Sequence, residues 1–157
     1  MASPMLVIGV GNALRADDAA GLRVARGLRP GPGVDVCEQS GEATALLEAL
    51  RGSAAAVIVD AALGAQPGRV HRLDAAAGPL PQGLFGFSTH GFGVAEGIEL
   101  ARALGALPPV CVVYAVEGER FETGEPMSAA VTRALPRLAE GITREIEAVR
   151  QAQTRQA

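Results

Sequence analysis

The stretch MLVIGVGNALRADDAAGLRVARGLR, residues 5–29, is the most informative part of this sequence. It begins with six apolar residues followed by glycine, which predicts a short buried parallel strand over residues 5–10. From Asp17 to Arg29 the apolar residues Ala20, Val24 and Leu28 recur about one helical turn apart, which predicts a helix. A strand, a tight glycine-containing loop and a helix form the repeating unit of an α/β protein.

The rest of the chain repeats this alternation of strand and helix. The segment AAAVIVD, residues 54–60, is apolar until its terminal acid and predicts a fully buried strand. A weaker strand over residues 68–74 follows it too closely for a parallel crossover, so we expect it to be antiparallel. Its alternation of polar and apolar residues is typical of a sheet edge. The remaining predicted elements are strands over 34–38 and 110–116, and helices over 42–51, 90–104 and from Ser128 to about Gln151, bent at Pro136.

This order predicts the α/β class. We expect residues 1–157 to form a single three-layer α/β/α domain around a five-stranded, mostly parallel twisted sheet with one antiparallel edge strand. In such a sheet, ligands bind at the carboxyl ends of the strands, where the winding changes direction. The loops at that edge are therefore the place to look for chemistry.

Composition argues against several classes of partner. Fourteen basic residues are scattered among seventeen acidic ones, with a net charge of −3, so the sequence has no footprint for nucleic acid or an anionic membrane. No run of apolar residues is long enough to span a bilayer. The first residues, MASPMLVIGVG, lack the charged segment of a signal peptide, so we expect a cytoplasmic protein. Cys37 and Cys111 lie far apart in apolar runs, which favours buried free thiols.

Potential metal ligands follow several of the predicted strands. A carboxylate from Asp17 or Asp18 follows the first strand, Asp60 ends the third, and His90 lies at the start of the third helix. The segment SGE, residues 40–42, falls at the same edge. One nitrogen and two oxygens could form an open site for a borderline metal such as nickel or zinc.

Each of these residues also has a purely structural interpretation. Asp17 and Asp18 could be acidic residues that favour a helix N-terminus. Asp60 could be a solvated strand end, and His90 could be a neighbour of a helix cap. The pattern Gly9-x-Gly11 could begin a dinucleotide-binding loop, although Leu14 occupies the position of its third glycine.

Three further titratable residues are expected at the surface. His71 falls on the predicted edge strand, and Glu117 and Glu119 follow the last strand. We predict that His71 is a surface residue and that Glu117 and Glu119 are solvated, although the two glutamates could instead line the cleft. Other enzyme classes fit poorly because the chain has neither a GxSxG nucleophile elbow nor an HExxH zinc motif.

Five segments, in order along the chain, resemble the nickel-iron hydrogenase maturation proteases. They are VIGVGNALRADDAAGLRVARGL, SGEATALLEAL, VIVDAALGAQPGRVHRLD, STHGFGVAEGIELARALGALPP and VYAVEGERFETGEPMSAAVTRAL. Together they cover nearly the whole sequence. Ala19 stands where the family often has glycine, and Ser40 precedes Gly41 in the second segment. Neither departure affects a proposed ligand.

The resemblance implies an enzyme, an endopeptidase that removes the C-terminal extension of a hydrogenase large-subunit precursor. It implies that Asp18, Asp60 and His90 are both the metal-binding and the catalytic residues. It also implies that nickel is presented by the precursor rather than held permanently, and we expect the protease to be a monomer. The alternatives are a Rossmann-like nucleotide- or phosphate-binding module and a non-catalytic metal-sensing maturation partner.

Overall fold

The structure is a computed structural model, and it describes residues 4–81, 83–84 and 93–156. Five strands form one sheet in the order β2-β1-β3-β5-β4. The strands are β1 (Met5–Val10), β2 (Val34–Gln39), β3 (Ala55–Ala62), β4 (Val70–Asp74) and β5 (Val110–Glu117). The helices are α1 (Ala20–Gly27), α2 (Ala43–Leu50), α3 (Val94–Ala103) and α4 (Ala129–Gln156).

The pairing of the strands confirms the predicted mixed sheet. β2, β1, β3 and β5 are parallel to their neighbours, whereas β4 is antiparallel to β5 and lies at the edge. From β1 the chain first winds outward to β2 and then returns to β3 on the other side of β1. The connections that leave the carboxyl ends of β1 and β3 therefore run in opposite directions, and a crevice is expected between them.

Each face of the sheet carries its own apolar core. α1 and α4 cover one core, which includes Val57 and Val59, and α2 and α3 cover the other, which includes Ala56 and Ile58. Because side chains alternate across a strand, an uninterrupted apolar run such as β3 supplies both cores. Burying each valine or isoleucine side chain stabilises the fold by roughly 1.5–3 kcal/mol.

The first predicted helix differs from the observed one. Residues Ala16–Ala19 form a 3₁₀ turn, and only Ala20–Gly27 are α-helical. Ala16 has a φ of +50°, in the left-handed region that a residue with a Cβ seldom adopts. Local periodicity did not reveal this turn because long-range contacts of Asp17 stabilise it, as described below.

The observed ends of the other helices and strands differ less from the predicted ones. β3 continues for two residues beyond Asp60, to Ala62, and α4 runs through Pro136 to Gln156. The described part of α3 begins at Val94, and the predicted start of that helix at His90 lies outside the described residues. Among the helices that the structure describes, none is both long and apolar enough to cross a membrane.

Candidate active site

The loop after β1 places Asp18 at the carboxyl edge of the sheet. The amide of Asn12 donates a hydrogen bond to the Asp18 carbonyl oxygen at 3.1 Å, which folds the loop back on itself. Gly11 has a φ of +155°, and a Cβ there would overlap that same carbonyl oxygen. The glycine is therefore required by a close backbone approach as well as by its backbone conformation. The Asp18 side chain remains partly exposed, with Arg15 Nη1 at 3.9 Å from Oδ2.

Asp17 has a different environment, although it is adjacent in sequence. It is fully buried, with 0% exposure. Its Oδ2 accepts hydrogen bonds from the amides of Glu119 (2.7 Å) and Arg120 (3.0 Å) and from the Ser128 hydroxyl (2.9 Å). Its Oδ1 accepts one from the Ser128 amide at 2.7 Å. Asp17 does begin a 3₁₀ turn, as an acid that favours a helix N-terminus could, but the contacts of its carboxylate are with the loop before α4.

These bonds join the loop after β1 to the loop after β5. Ser128 is also the residue from which α4 starts, and its hydroxyl accepts a bond from the Val131 amide at 3.4 Å. Asp17 thus connects the 3₁₀ turn to the start of α4. Because Asp17 is held inward, the next residue of the turn, Asp18, is left at the surface of the crevice.

Asp60 lies on β3, next to β1 in the sheet. Its Oδ1 accepts a hydrogen bond from the amide of Ala61 at 2.8 Å, and its side chain is only partly accessible. Burial raises the pKa of Asp60 well above its usual value, and the nearby negative charge of Asp18 raises it further. Burial also raises the pKa of Asp18, although Arg15 and the Asn12 amide oppose this effect.

The two carboxylates therefore lie close enough at the switch point to repel each other, and the region between the ends of β1 and β3 is called the acidic crevice below. Within the described residues, few groups compensate their charge: Arg15 lies near Asp18, and the Ala61 amide donates to Asp60. A cation bound between them would relieve the repulsion, and oxygen donors of this kind accept divalent metals. The donor set thus fits a metal ion.

The predicted third ligand, His90, lies outside the described residues. Over residues 4–81, 83–84 and 93–156, no three histidine, cysteine, aspartate or glutamate side chains come together as a metal site. The structure thus brings together two of the three predicted residues, and the role of His90 remains a prediction from sequence.

Glu117 is a polar residue whose environment the sequence analysis misjudged. It is 4% exposed, and its carboxylate accepts bonds from His71 Nε2 at 2.7 Å and from the Gln66 amide at 3.1 Å. These bonds hold its pKa below the usual value, the bond from His71 contributing most. The prediction that Glu117 is solvated was therefore wrong. His71 lies on the edge strand as expected, with its side chain 22% exposed, and Glu119 is exposed.

Glu117 holds the β3–β4 connection against the end of β5. A Cβ on Gly64 would overlap the Glu117 side chain, so the connection can close over this residue only with glycine at that position. The signal in the sequence was a glutamate directly after the apolar run VCVVYAV, since an acid that ends a buried strand needs partners.

Fold and site together define a doubly wound α/β protein with an acidic crevice at its topological switch point. The family model for the HycI hydrogenase maturation protease matches residues 24–145. The chain therefore belongs to the hydrogenase maturation protease family and is an endopeptidase.

Solved structures of hydrogenase maturation proteases share the fold of this chain. The hydrogenase maturating endopeptidase HybD from E. coli is 23% identical, with a TM-score of 0.76 over 95% of this chain and 93% of that one. The NiFe hydrogenase maturation protease HycI from Thermococcus kodakarensis is 22% identical, with a TM-score of 0.70 over 92% and 93% of the two chains. At this level of identity the likeness shows a shared fold. No curated protein sequence gives a significant match.

Proposed function

We propose that this protein is a nickel-dependent endopeptidase that removes the C-terminal extension of a nickel-iron hydrogenase large-subunit precursor. It acts on precursor that already carries nickel, and it works as a monomer in the cytoplasm. The observation that carries the proposal is the pair of carboxylates, Asp18 and Asp60, which share a crevice with little compensating charge. Such a pair is suited to a cation that arrives with the substrate.

The chain would supply three ligands to that nickel. Asp18 contributes an oxygen from the turn after β1 and Asp60 contributes one from β3, while His90 contributes a nitrogen, as the family resemblance implies. A metal at such a site can polarise the scissile carbonyl or acidify a water molecule. The protein's own contribution is to position the carboxylates, since Asp17 fixes the turn that carries Asp18.

Mass spectrometry of a precursor mixed with the protein tests this function. Nickel-loaded precursor should lose its C-terminal extension, whereas nickel-free precursor should remain intact because the ligands have no metal to engage. His90→Ala should abolish processing while the domain stays folded. Efficient cutting of nickel-free precursor, or full activity of His90→Ala, would contradict the metal-dependent mechanism.

Asp60→Asn should separate function from stability. Without added metal, the variant should melt at a higher temperature than the original protein at neutral pH, yet fail to process the precursor. The raised pKa means that ionising Asp60 costs more in the folded than in the unfolded state, so this penalty grows as the pH rises from the usual pKa of 3.8 to the folded pKa and is complete above it. The asparagine oxygen can still accept the Ala61 amide.

Differential scanning calorimetry provides the stability measurement, with Asp35→Asn as the matched control. Asp35 is exposed on β2, and its substitution should leave both the melting temperature and processing unchanged. A lower melting temperature for Asp60→Asn would show that the carboxylate stabilises the fold, and it would weaken its assignment as a functional group.

A further inference from the structure

A cleft lies between the edge strand β4 and the long helix α4, away from the acidic crevice. Its volume is about 590 Å³. Val70 and the ring of Tyr114 contribute its apolar lining from β4 and β5. Four arginines surround this floor, two near β4 (Arg69 and Arg72) and two on α4 (Arg137 and Arg144). Folding thus gathers four of the fourteen basic residues of an acidic protein around one cleft.

The charge that this cleft presents to solvent is positive. Arg72 binds Glu145 through two bonds of 2.9 Å, and Arg69 lies 3.8 Å from Glu117. Both glutamates are nearly buried, with side chains 12% and 6% exposed, whereas the arginine side chains are 51% and 57% exposed. The negative charges therefore lie beneath the surface, and about half of each arginine side chain remains open to solvent, although Nε and Nη2 of Arg72 are bonded to Glu145.

The two helix arginines add charge that no carboxylate in the described part of the chain neutralises by an ion pair. Arg137 donates a hydrogen bond to the carbonyl oxygen of Gly68 at 2.8 Å. Because the carbonyl group is uncharged, this bond does not neutralise the positive charge of Arg137. Arg144 is exposed, and its positive charge helps to lower the pKa of the neighbouring Glu145. Among the described residues that line the cleft, Glu140 is the single acidic one.

The backbone beside the cleft can accept an extended chain. β4 pairs with β5 on one side only, and within the described residues no strand covers its other side. An open edge of this kind can bind an extended peptide through main-chain hydrogen bonds, with specificity supplied by pockets for the side chains.

The cleft also begins at the end of the sheet that carries the candidate active site. In the register of the strands, His71 lies level with Asp60, with β5 between them, a distance of about 10 Å at normal strand spacing. Arg69 lies beyond His71, toward the carboxyl edge. A segment in the cleft would reach the acidic crevice by crossing that edge near Arg69.

We propose that this cleft binds an acidic, extended segment of the precursor protein while the peptide bond to be cut occupies the Asp18–Asp60 crevice. The inference rests on the proposed function for the identity of the partner. The recognition itself follows from charge complementarity, an apolar floor and an open strand edge. Arginine suits this role because its guanidinium group can bind a carboxylate through two parallel hydrogen bonds.

Fluorescence anisotropy with a short labelled peptide of alternating glutamate and threonine tests the binding surface without any cleavage. The peptide should bind the whole protein at low salt, and a peptide with glutamine in place of glutamate should not. Arg144→Glu should weaken binding about tenfold, because it replaces an attraction by a repulsion. Arg23→Glu is the matched control, since Arg23 is an exposed helical arginine on α1 outside the cleft.

Equal weakening by both variants would show a general charge effect and would overturn the proposal, as would equal binding of the two peptides. Processing of nickel-loaded precursor then tests the partner: Arg144→Glu should raise KM about tenfold and leave kcat unchanged. An unchanged KM would exclude the precursor as the occupant. Failure of the proposed function looks different, since no precursor is cut by any variant while peptide binding still distinguishes Arg144 from Arg23.

Discussion

Two adjacent aspartates in this protein have opposite roles. The carboxylate of Asp17 is buried and accepts four hydrogen bonds from the loop before α4. The carboxylate of Asp18 faces the crevice, where it raises the pKa of Asp60. Sequence reasoning placed an acid at this site and preferred Asp18 by resemblance. It had no means of showing that Asp17 is a structural residue.

Substitution of each aspartate by asparagine should show that Asp17 mainly affects stability and that Asp18 mainly affects activity. Asp17→Asn should lower the free energy of unfolding by about 2–4 kcal/mol, because the amide group replaces an oxygen that faces buried donors. Asp18→Asn should change it by less than about 1 kcal/mol and should abolish precursor processing. Urea unfolding and the processing assay measure the two effects. Similar stability losses in both variants would contradict the assignment.

The first helix shows how closely one element approaches the sheet. Gly21, in the first turn of α1, faces the carbonyl oxygens of Val10 and Val59, and a Cβ at this position would overlap both. Gly27 lies at the other end of the same helix, and a Cβ added there would meet no atom within 4 Å. The close contact at Gly21 keeps α1 against β1 and β3, and so fixes the turn that carries the two aspartates.

Alanine substitution at these two glycines should have effects of opposite sign. Alanine normally stabilises a helix by roughly 1 kcal/mol relative to glycine, so Gly27→Ala should stabilise the protein or leave it unchanged. Gly21→Ala should destabilise it by about 2 kcal/mol or more, because the overlapping atoms are backbone and cannot move aside easily. Chemical denaturation of both variants measures this, and a stabilising Gly21→Ala would show that α1 is packed less closely.

The long helix α4 is attached to the sheet edge by a polar group of three residues. Glu145 accepts a bond from the Tyr114 hydroxyl at 2.8 Å and two from Arg72, and these bonds lower the pKa of Glu145. Burial and the bond to Glu145 raise the pKa of Tyr114 to about 12. Gly141 permits this arrangement, because a side chain there would collide with the tyrosine ring. The group joins β4, β5 and α4.

Stability should depend on pH through this attachment. At neutral pH, Glu145→Gln should lower the free energy of unfolding by about 1–2 kcal/mol. Because the folded pKa of Glu145 lies below its usual 4.5, its contribution is complete above that value and is lost as the pH falls through the folded pKa. The difference between variant and original protein should therefore shrink in acid. Glu147→Gln, at an exposed position on the same helix, should show no such difference.

Much of the architecture was predictable from local patterns. Apolar runs and helical periodicity located the elements, and the short connection before β4 predicted its antiparallel direction, which the pairing with β5 confirms. Acids after the predicted first strand and at the end of the predicted third strand placed Asp18 and Asp60 at the same edge of the sheet, and the charge of Asp18 does act on Asp60. These inferences succeed because periodicity, loop length and chain direction depend on residues that are close together in the sequence.

What could not be predicted depends on contacts between distant segments. Asp17 meets Ser128 across 111 positions, and His71 meets Glu117 across 46, so neither burial could be recognised from neighbouring residues. The arginine cleft likewise forms from a strand and a helix far apart in the chain. Whether a charged group is buried or exposed depends on the partners that folding brings to it, and those partners cannot be identified from the neighbouring residues in the sequence.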